Sequence, residues 1–324
     1  MQYFKDDMFL FWNYIRERHI IFKKKELEKL PPPWTEDPIL QQYKFTNVHR
    51  EDDRGTKFVT EYIYNPPDKM VEKHLCDWPE IDILFNVIVY RLFNKIETFM
   101  HHGMLDPGYF RIERFEDCIR DRAVDDKVFT SAFVVSGYSC FPKGLDKISR
   151  LALLIEELAK RLMEDYYNDY LDFMWKTESM EDAYNYLLGI KGLGPFLAYQ
   201  IAVDLSYWDA TKFGEDDFVV AGPGCKNGLK WLFPEKQAKW EELCFWLRDH
   251  QVEFWDDYGV EYRELFDDRP KPYLTVMAIE NCLCEISKYL KAYYSTGRPR
   301  NKYNPEDGYQ RFQQEGYLPW TKTS

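Results

Sequence analysis

The stretch GIKGLGPFLAYQIAVDL, Gly189 to Leu205, leaves this chain few ways to fold. Gly192 and Gly194 bracket Leu193, so the backbone can turn tightly with no Cβ in the way while Leu193 plugs the gap at the bend. Before the bend, Ser179 to Leu188 reads as a helix that Ser179 can cap. After it, Pro195 suits the first turn of a second helix, in which Ala198, Ile201, Ala202 and Leu205 form a close-packing apolar stripe. Such a pair leaves backbone N–H groups unsatisfied at a helix N-terminus, a ready-made phosphate site. The spacing predicts a helix-hairpin-helix that grips a nucleic-acid backbone at Gly192 and Gly194, with Lys191 and Gln200 as flanking contacts. The alternative is a helical hairpin in a core with glycines at its bend.

The remaining pattern is helical by period. Residues 2 to 29 read as one amphipathic helix broken by Pro31, Pro32 and Pro33. Further helices are expected over 80 to 101, 111 to 122, 146 to 173 (as one or two), 236 to 249 and 273 to 294, with 206 to 224 as loop and Gly297 to Ser324 as an extended arm. The expected fold is all-α, a single bilobal domain over residues 1–324 whose core, 179–232, holds the hairpin and a glycine-rich loop. With 45% apolar residues the chain can bury a large core. No run approaches the ~20 apolar residues of a membrane span, and MQYFKDDMFLFWNYIRERH mixes acids and bases where a signal peptide is apolar, so a cytoplasmic protein without membrane contact is expected. Seven cysteines without a C-x-x-C pair fit reduced thiols better than disulfides or zinc.

A net charge of −12 disfavours indiscriminate coating of DNA and requires any nucleic-acid site to be a local basic groove. Arg16, Arg18, Lys23, Lys24 and Lys25 make one positive run, His49, Arg50 and Arg54 a second, and Lys226 and Lys230 a third; each alone is as ordinary as a solvated face. His19, within the first run, reads as part of such a face, and His101 with His102 as a helix end.

About twenty residues past the hairpin comes EDDFVVAGPGCKNGLKWL, Glu215 to Leu232. In helix-hairpin-helix DNA glycosylases a catalytic aspartate follows the hairpin at a similar distance, which makes Asp217 and Asp216 candidates here. AGPGCKNG is not a Walker A loop, since no Ser or Thr follows a terminal Lys. Its amides at Gly222 and Gly224, with Lys226, could still hold a phosphate or pyrophosphate; a capped turn is the alternative. In the last predicted helix Asn281, Glu285, Lys288 and Tyr289 fall at spacings of three and four and share a face, although Glu285 and Lys288 could be no more than a surface ion pair. Asn47, Arg50 and Asp53 fall at the same spacing and predict a second polar helix face.

Taken in order, FWNYIRERHIIFKKK, PWTEDPILQQYKFTNVHREDDRGT, the hairpin, FVVAGPGCKNGL and IENCLCEISKY resemble the alpha-glutamyl/putrescinyl thymine pyrophosphorylase family, also called amino acid:DNA transferases and related to the helical domain of phage 5-hydroxymethyluracil DNA kinases. The likeness spans roughly residues 9 to 295. It implies a glycosylase-like helical fold that acts on phage thymine hypermodification in the host cytoplasm, exchanging the pyrophosphate of a 5-pyrophosphoryloxymethyl-uracil in DNA for an amino acid or polyamine. It also lifts Asn47, Arg50, Asp53, Arg54, Asn281, Lys288 and Tyr289 to candidate substrate and pyrophosphate contacts. The kinase P-loop is absent, and Phe196 stands where glycosylases with lyase activity place a lysine.

That chemistry suits the residues. The incoming amine is mostly an ammonium at neutral pH, so a base must take its proton, a role open to Asp217 or Glu285. The departing pyrophosphate needs cations and aimed N–H donors, from Arg50, Arg54, Lys226 and the glycine run, with a magnesium ion as the one cofactor it could bring. Two other readings share these residues: a DNA glycosylase that excises a modified base, and a non-catalytic DNA-binding subunit.

Overall fold

A computed structural model describes residues 1–65, 80–125, 127–130, 144–234, 238–299 and 302–306. In chain order the helices are α1 (Lys5–Phe22), α2 (Pro38–Gln42), α3 (Arg54–Phe58), α4 (Glu80–Phe93), α5 (Ile96–His102), α6 (Ile112–Asp125), α7 (Lys147–Tyr167), α8 (Asp172–Lys176), α9 (Met180–Leu188), α10 (Pro195–Leu205), α11 (Pro223–Leu232), α12 (Trp240–Asp249), α13 (Gln251–Asp257), α14 (Tyr262–Leu265) and α15 (Val276–Tyr293). Among the described residues the only β-type pairing is an isolated antiparallel bridge between Tyr43 and Lys302, so the fold is all-α. No helix of the described residues is long and apolar enough to cross a membrane. The chain divides into two compact units, one made of Met1–Asp53 with Val219–Ser324 and the other of Arg54–Phe218.

The second unit is built around α4, whose residues from Ile81 to Phe93 are all buried and which packs against α7 and α10. One charge inside it is matched: Arg91 donates to both oxygens of Asp204 on α10, the Nη2 bond at 2.6 Å. The predicted hairpin is the α9–α10 pair. Ser179 caps α9 by accepting from Asp182 N, Gly192 takes a φ of +92°, Leu193 is buried, and Pro195 opens α10 behind an extended Gly194. A Cβ on Gly192 would collide with Leu154 of α7, so glycine is required there by both conformation and space, whereas nothing lies near a Cβ on Gly194.

In the first unit α1 buries Met8, Phe11, Trp12 and Ile15, with Trp12 stacked on Phe254 at 5.3 Å and edge-on to Trp255. α11 packs chiefly against α15. The glycines of AGPGCKNG make that approach possible: a Cβ on Gly224 would lie 3.0 Å from Cys284 Sγ, and one on Gly228 would press into the Leu283 carbonyl. A half-buried ion network ties the loop after α14 to the rest of the unit. Arg269 pairs with Glu51 at 2.8 Å, with Asp52, and with Asp268 at 3.0 Å, while His19 meets Asp268 at 2.9 Å.

Several expectations are corrected. The first helix stops being α-helical at Phe22 and widens into a π-type turn over Lys23–Leu27. Residues 80–101 form two helices, because Asn94 adopts a φ of 49° between α4 and α5. Asn47, Arg50 and Asp53 do not share a helix face; Arg50–Asp52 is a single 3-10 turn and its neighbours are extended. The loop after the hairpin ends at Gly222, and the glycine run is helical from Pro223. His19 is buried rather than solvated, and burial lowers its pKa to about 4. Most of the predicted C-terminal arm, including everything beyond residue 306, lies outside the described residues.

Candidate active site

α15 is held at its start by Thr275, whose hydroxyl accepts from Ala278 N, and it buries Val276, Met277, Ile279, Leu283, Ile286 and Leu290. An apolar helix of this kind has no packing reason to bury acids and amides as well, yet Glu280, Asn281, Glu285 and Tyr289 are all buried on it. Asn281 Nδ2 donates to Asn47 O at 2.7 Å and so fastens the extended segment after α2 onto α15. Asn47 organises that segment. Its N–H donates to Asp53 Oδ1 at 3.1 Å, its Nδ2 to Asp52 O at 2.9 Å, and its Oδ1 accepts from Arg18 Nη2 at 2.6 Å. Tyr14, one turn before Arg18 on α1, packs its ring against Phe45 and Tyr289, and Tyr289 donates to Asp37 Oδ2 at 2.6 Å. α1, the 43–53 segment and α15 thereby converge on one polar cluster within the first unit.

The cluster is rich in acids. Glu285 Oε1 accepts from Lys288 Nζ at 2.5 Å, while Oε2 is buried with no hydrogen-bond partner among the described residues. A buried acceptor left unmade costs about 1–3 kcal/mol, more when charged, so this oxygen is one that a ligand's donor would satisfy. Burial raises the pKa of Asp53, with Arg50 and the Asn47 N–H pulling it back. Burial also lifts Tyr14 well above its usual value, with the Glu285 charge as the next cause. Glu280 is pushed up to about 7 by burial, against the hydrogen bonds from Cys284 Sγ and the Gly222 N–H. α15 thus buries two carboxyls of different character: Glu280, which titrates near neutrality and is bonded toward the start of α11, and Glu285, which has an open acceptor on the side of the cluster.

Of the residues singled out from sequence, Asn47, Arg50, Asp53, Asn281, Glu285, Lys288 and Tyr289 meet in the first unit. Lys288 and Glu285 are not the surface pair considered above, since the carboxylate is buried. Gly222, Gly224 and Lys226 belong to the same unit but serve the start of α11. There Glu241 Oε1 accepts from Ala221 N at 3.1 Å and Glu280 accepts from Gly222 N, so a pyrophosphate placed there would face two carboxylates. The remaining candidates lie in the second unit. Arg54 pairs with Glu97 at 2.9 Å, Lys191 pairs with Glu157 at 2.8 Å, and Gln200 is only 5% exposed, inside rather than on the hairpin's surface. Asp217 is exposed and accepts from Gly214 N at 2.9 Å, an interaction that closes its own turn, and Asp216 is half-buried. Among the described residues no group of three or more His, Cys, Asp or Glu side chains is placed to hold a metal ion.

Sequence reasoning missed Glu280 and Tyr14, and it read Arg18 only as one charge in a basic run. Glu280 carried a usable signal: an acid flanked by Ile279 and Asn281 in the apolar MAIENCLC has no solvated face to occupy.

Residues 6–298 match the family described as the helical domain of 5-hmdU DNA kinases. The chain belongs to that family. The matched span of this helical domain runs from α1 through α15 and takes in every member of the polar cluster. The chain is 28% identical over 295 residues to the 5-hmdU DNA kinase of Bacillus phage SP10, a match covering 87% of this chain but 44% of that kinase, so the helical domain spans less than half of its relative's length. No solved structure matches the chain.

Proposed function

We propose that this helical-domain protein is a transferase of phage-type thymine hypermodification, replacing the pyrophosphate of 5-pyrophosphoryloxymethyl-uracil in DNA with an amino acid or polyamine. Kinship with a 5-hmdU DNA kinase supports a modified thymine in DNA as the substrate. The 324 residues hold no Gly-Lys dipeptide and hence no Walker A loop, so the reading places the chemistry of this helical domain on its polar cluster. The observation that carries the reading is Glu285 Oε2, a buried acceptor without a hydrogen-bond partner among the described residues, on a carboxylate whose other oxygen accepts from Lys288.

In this reading the amine nitrogen bonds to the exocyclic C5 methylene as the methylene–oxygen bond breaks and its electron pair leaves with pyrophosphate. The proton lost by the amine goes to Glu285 Oε2, and the carboxylate helps to offset positive charge building on the methylene carbon. Arg50, Arg18 and Lys288 supply positive charge for the leaving group. Glu285 is preferred to Asp217 as base because Asp217 Oδ2 already accepts from Gly214 N and the side chain is exposed. The hairpin serves as a backbone grip through the amides at the start of α10, a glycosylase-like feature, and exposed Phe196 in place of a lysine disfavours Schiff-base cleavage.

The test is incubation of the protein with DNA bearing the pyrophosphorylated base and a panel of amines, followed by nucleoside mass analysis. Free pyrophosphate and an intact strand carrying a 5-aminomethyl-type base are expected, in amounts that depend on the amine. Alkali-labile abasic sites formed without pyrophosphate release would make the protein a glycosylase. DNA binding with no turnover under any combination would make it a binding subunit.

A further inference from the structure

The twenty residues from Ile286 to Pro305 contain Lys288, Lys291, Arg298, Arg300 and Lys302 and no Asp or Glu. With 55 acids in 324 residues, a stretch of this length would hold about three at the chain's average density. The helix dipole favours a cation in the last turn of α15 and so accounts for Lys291, but its influence fades within that turn and leaves the rest unexplained. Elsewhere surface cations are neutralised within the fold, as in Lys176–Asp172, Lys160–Glu156, Arg161–Asp165 and Arg120–Glu116. Lys291, Arg298 and Lys302 are exposed and have no carboxylate partner among the described residues.

The same stretch presents aromatic rings. Tyr293 is 51% exposed and Tyr294 42%. Tyr293 stacks on Tyr289 at 6.2 Å and 20° and meets Tyr294 edge-on at 5.1 Å, while Tyr294 stacks on Trp231 at 5.7 Å and 12°. Tyr289 is fixed by Asp37 and Tyr294 by Asp7, so the exposed rings rest on a rigid backing. Past the helix, Thr296 N and Gly297 N both bond to Lys291 O, and Ser295 takes a φ of 56° to turn the chain. The Lys302 bridge to Tyr43, with Tyr303 N bonded to Gln42 O at 2.8 Å, pins the far end of the run onto the first unit. Unpaired, spaced cations interleaved with supported aromatic faces suit an anionic backbone whose planar groups can stack, which is the chemistry of an unpaired nucleic-acid strand and not of a merely acidic peptide.

We propose that the end of α15, the chain over 294–299 and Lys302 form a single-strand nucleic-acid surface, with phosphates on Lys291, Arg298 and Lys302 and a base stacked on Tyr293. Its first cation, Lys291, lies nearly two turns beyond Glu285 on the same helix. The proposal rests on the reading of DNA as substrate, but its site is separate from the hairpin, which belongs to the other unit.

The experiment uses the full chain and a fluorescein-labelled twenty-nucleotide oligo(dT), with a duplex of equal length in parallel, titrated by anisotropy at several salt concentrations. The double variant Lys291→Glu/Arg298→Glu should lose oligo(dT) affinity by roughly tenfold or more, with the salt slope falling by ~0.7 for each phosphate contact removed. Tyr293→Ala should weaken oligo(dT) binding by roughly tenfold and Tyr293→Phe should retain it, since stacking needs the ring and not the hydroxyl. Unchanged urea midpoints check that the exposed substitutions leave the fold intact. The proposal is overturned if the wild type fails to bind oligo(dT), if the charge reversals leave affinity and slope unchanged, if Tyr293→Phe behaves as Tyr293→Ala, if the variants lose only duplex affinity, or if polyglutamate competes as well as unlabelled strand. Strand binding of this kind with no transfer on any amine would sink the transferase reading and leave the surface standing. Amine transfer by a protein whose variants bind as the wild type does would do the reverse.

Discussion

Adding one methyl group at Gly228 tests whether the glycine run of α11 exists for helix packing. An alanine Cβ there would press into the Leu283 carbonyl oxygen and lie 2.9 Å from its carbon and 3.1 Å from the Leu283 Cα, where ordinary contacts begin near 3.4 Å. The obstruction is backbone, so no rotamer change relieves it, and α11 and α15 must part. Overpacking of this sort costs roughly 1–3 kcal/mol, and the upper end applies where backbone must move. Alanine recovers about 1 kcal/mol of helix propensity, which leaves a net loss of about 2 kcal/mol. At a slope of about 2 kcal/mol per molar urea, the midpoint should fall by about 1 M. Gly224→Ala should lose less, because the atom 3.0 Å from its Cβ is the Cys284 sulfur, a side chain that can yield. Gly194→Ala, with nothing within 4 Å of its Cβ, should leave the midpoint nearly unchanged. A Gly228→Ala protein as stable as the wild type, or more so, would refute the packing argument and return the glycine run to ligand binding.

Glu280→Gln should remove a pH dependence: the folded carboxyl titrates at about 7 against a usual value of 4.5, so its favourable contribution is complete below about 4.5 and lost as the pH rises through 7. The variant should therefore gain up to about 3 kcal/mol over wild type at pH 8 and nothing at pH 4, read from urea midpoints across that window; parallel curves would refute the shift. Glu285→Gln should cut amine transfer by ~10² or more with DNA affinity retained, whereas Asp217→Asn should change it by no more than about threefold, its turn bond to Gly214 being one an amide oxygen can keep. The reverse ranking would move the base to the second unit. Gly192→Ala should destabilise the protein, because that residue has a positive φ and faces Leu154, so hairpin binding is better read from Gly194→Val, which should weaken DNA affinity at matched salt without moving the urea midpoint. Unaltered affinity would take that amide off the DNA.

The helices were legible because their period and caps are local: Ser179, Pro195 and the apolar stripe of α10 are visible at short range, and each occupies its expected place. What failed were inferences from spacing where the conformation was set by distant partners. Asn47, Arg50 and Asp53 suggested a helix at intervals of three, but Asn47 spends its hydrogen bonds on Asp53, Asp52 and Arg18 in an extended segment that Asn281 holds down from α15. AGPGCKNG resembled a phosphate loop since glycine runs look alike whether the close neighbour is a ligand or another helix. The approach of Cys284 to Gly224 and of Leu283 to Gly228 cannot be read from the spacing. The seven residues that do converge came from a family resemblance more than from periodicity. Tyr14 escaped notice because burial, which gives it its altered acidity, is a property of packing and not of sequence distance, while Glu280 showed only through its apolar neighbours.

The first unit is assembled from two pieces of chain with all of Arg54–Phe218 spliced between them. During synthesis α1 leaves the ribosome with Met8, Phe11, Trp12 and Ile15 bare, and the partners that cover them, among them Phe254 and Trp255, arrive only after the intervening unit has been translated. At 5–20 residues per second that wait is roughly ten to fifty seconds, long enough for the contiguous unit to fold first. Nascent α1 is thus a natural client for a chaperone. The same arrangement makes the junctions near Asp53 and Val219 the places where the inserted unit could be excised and expressed as an independent folding module.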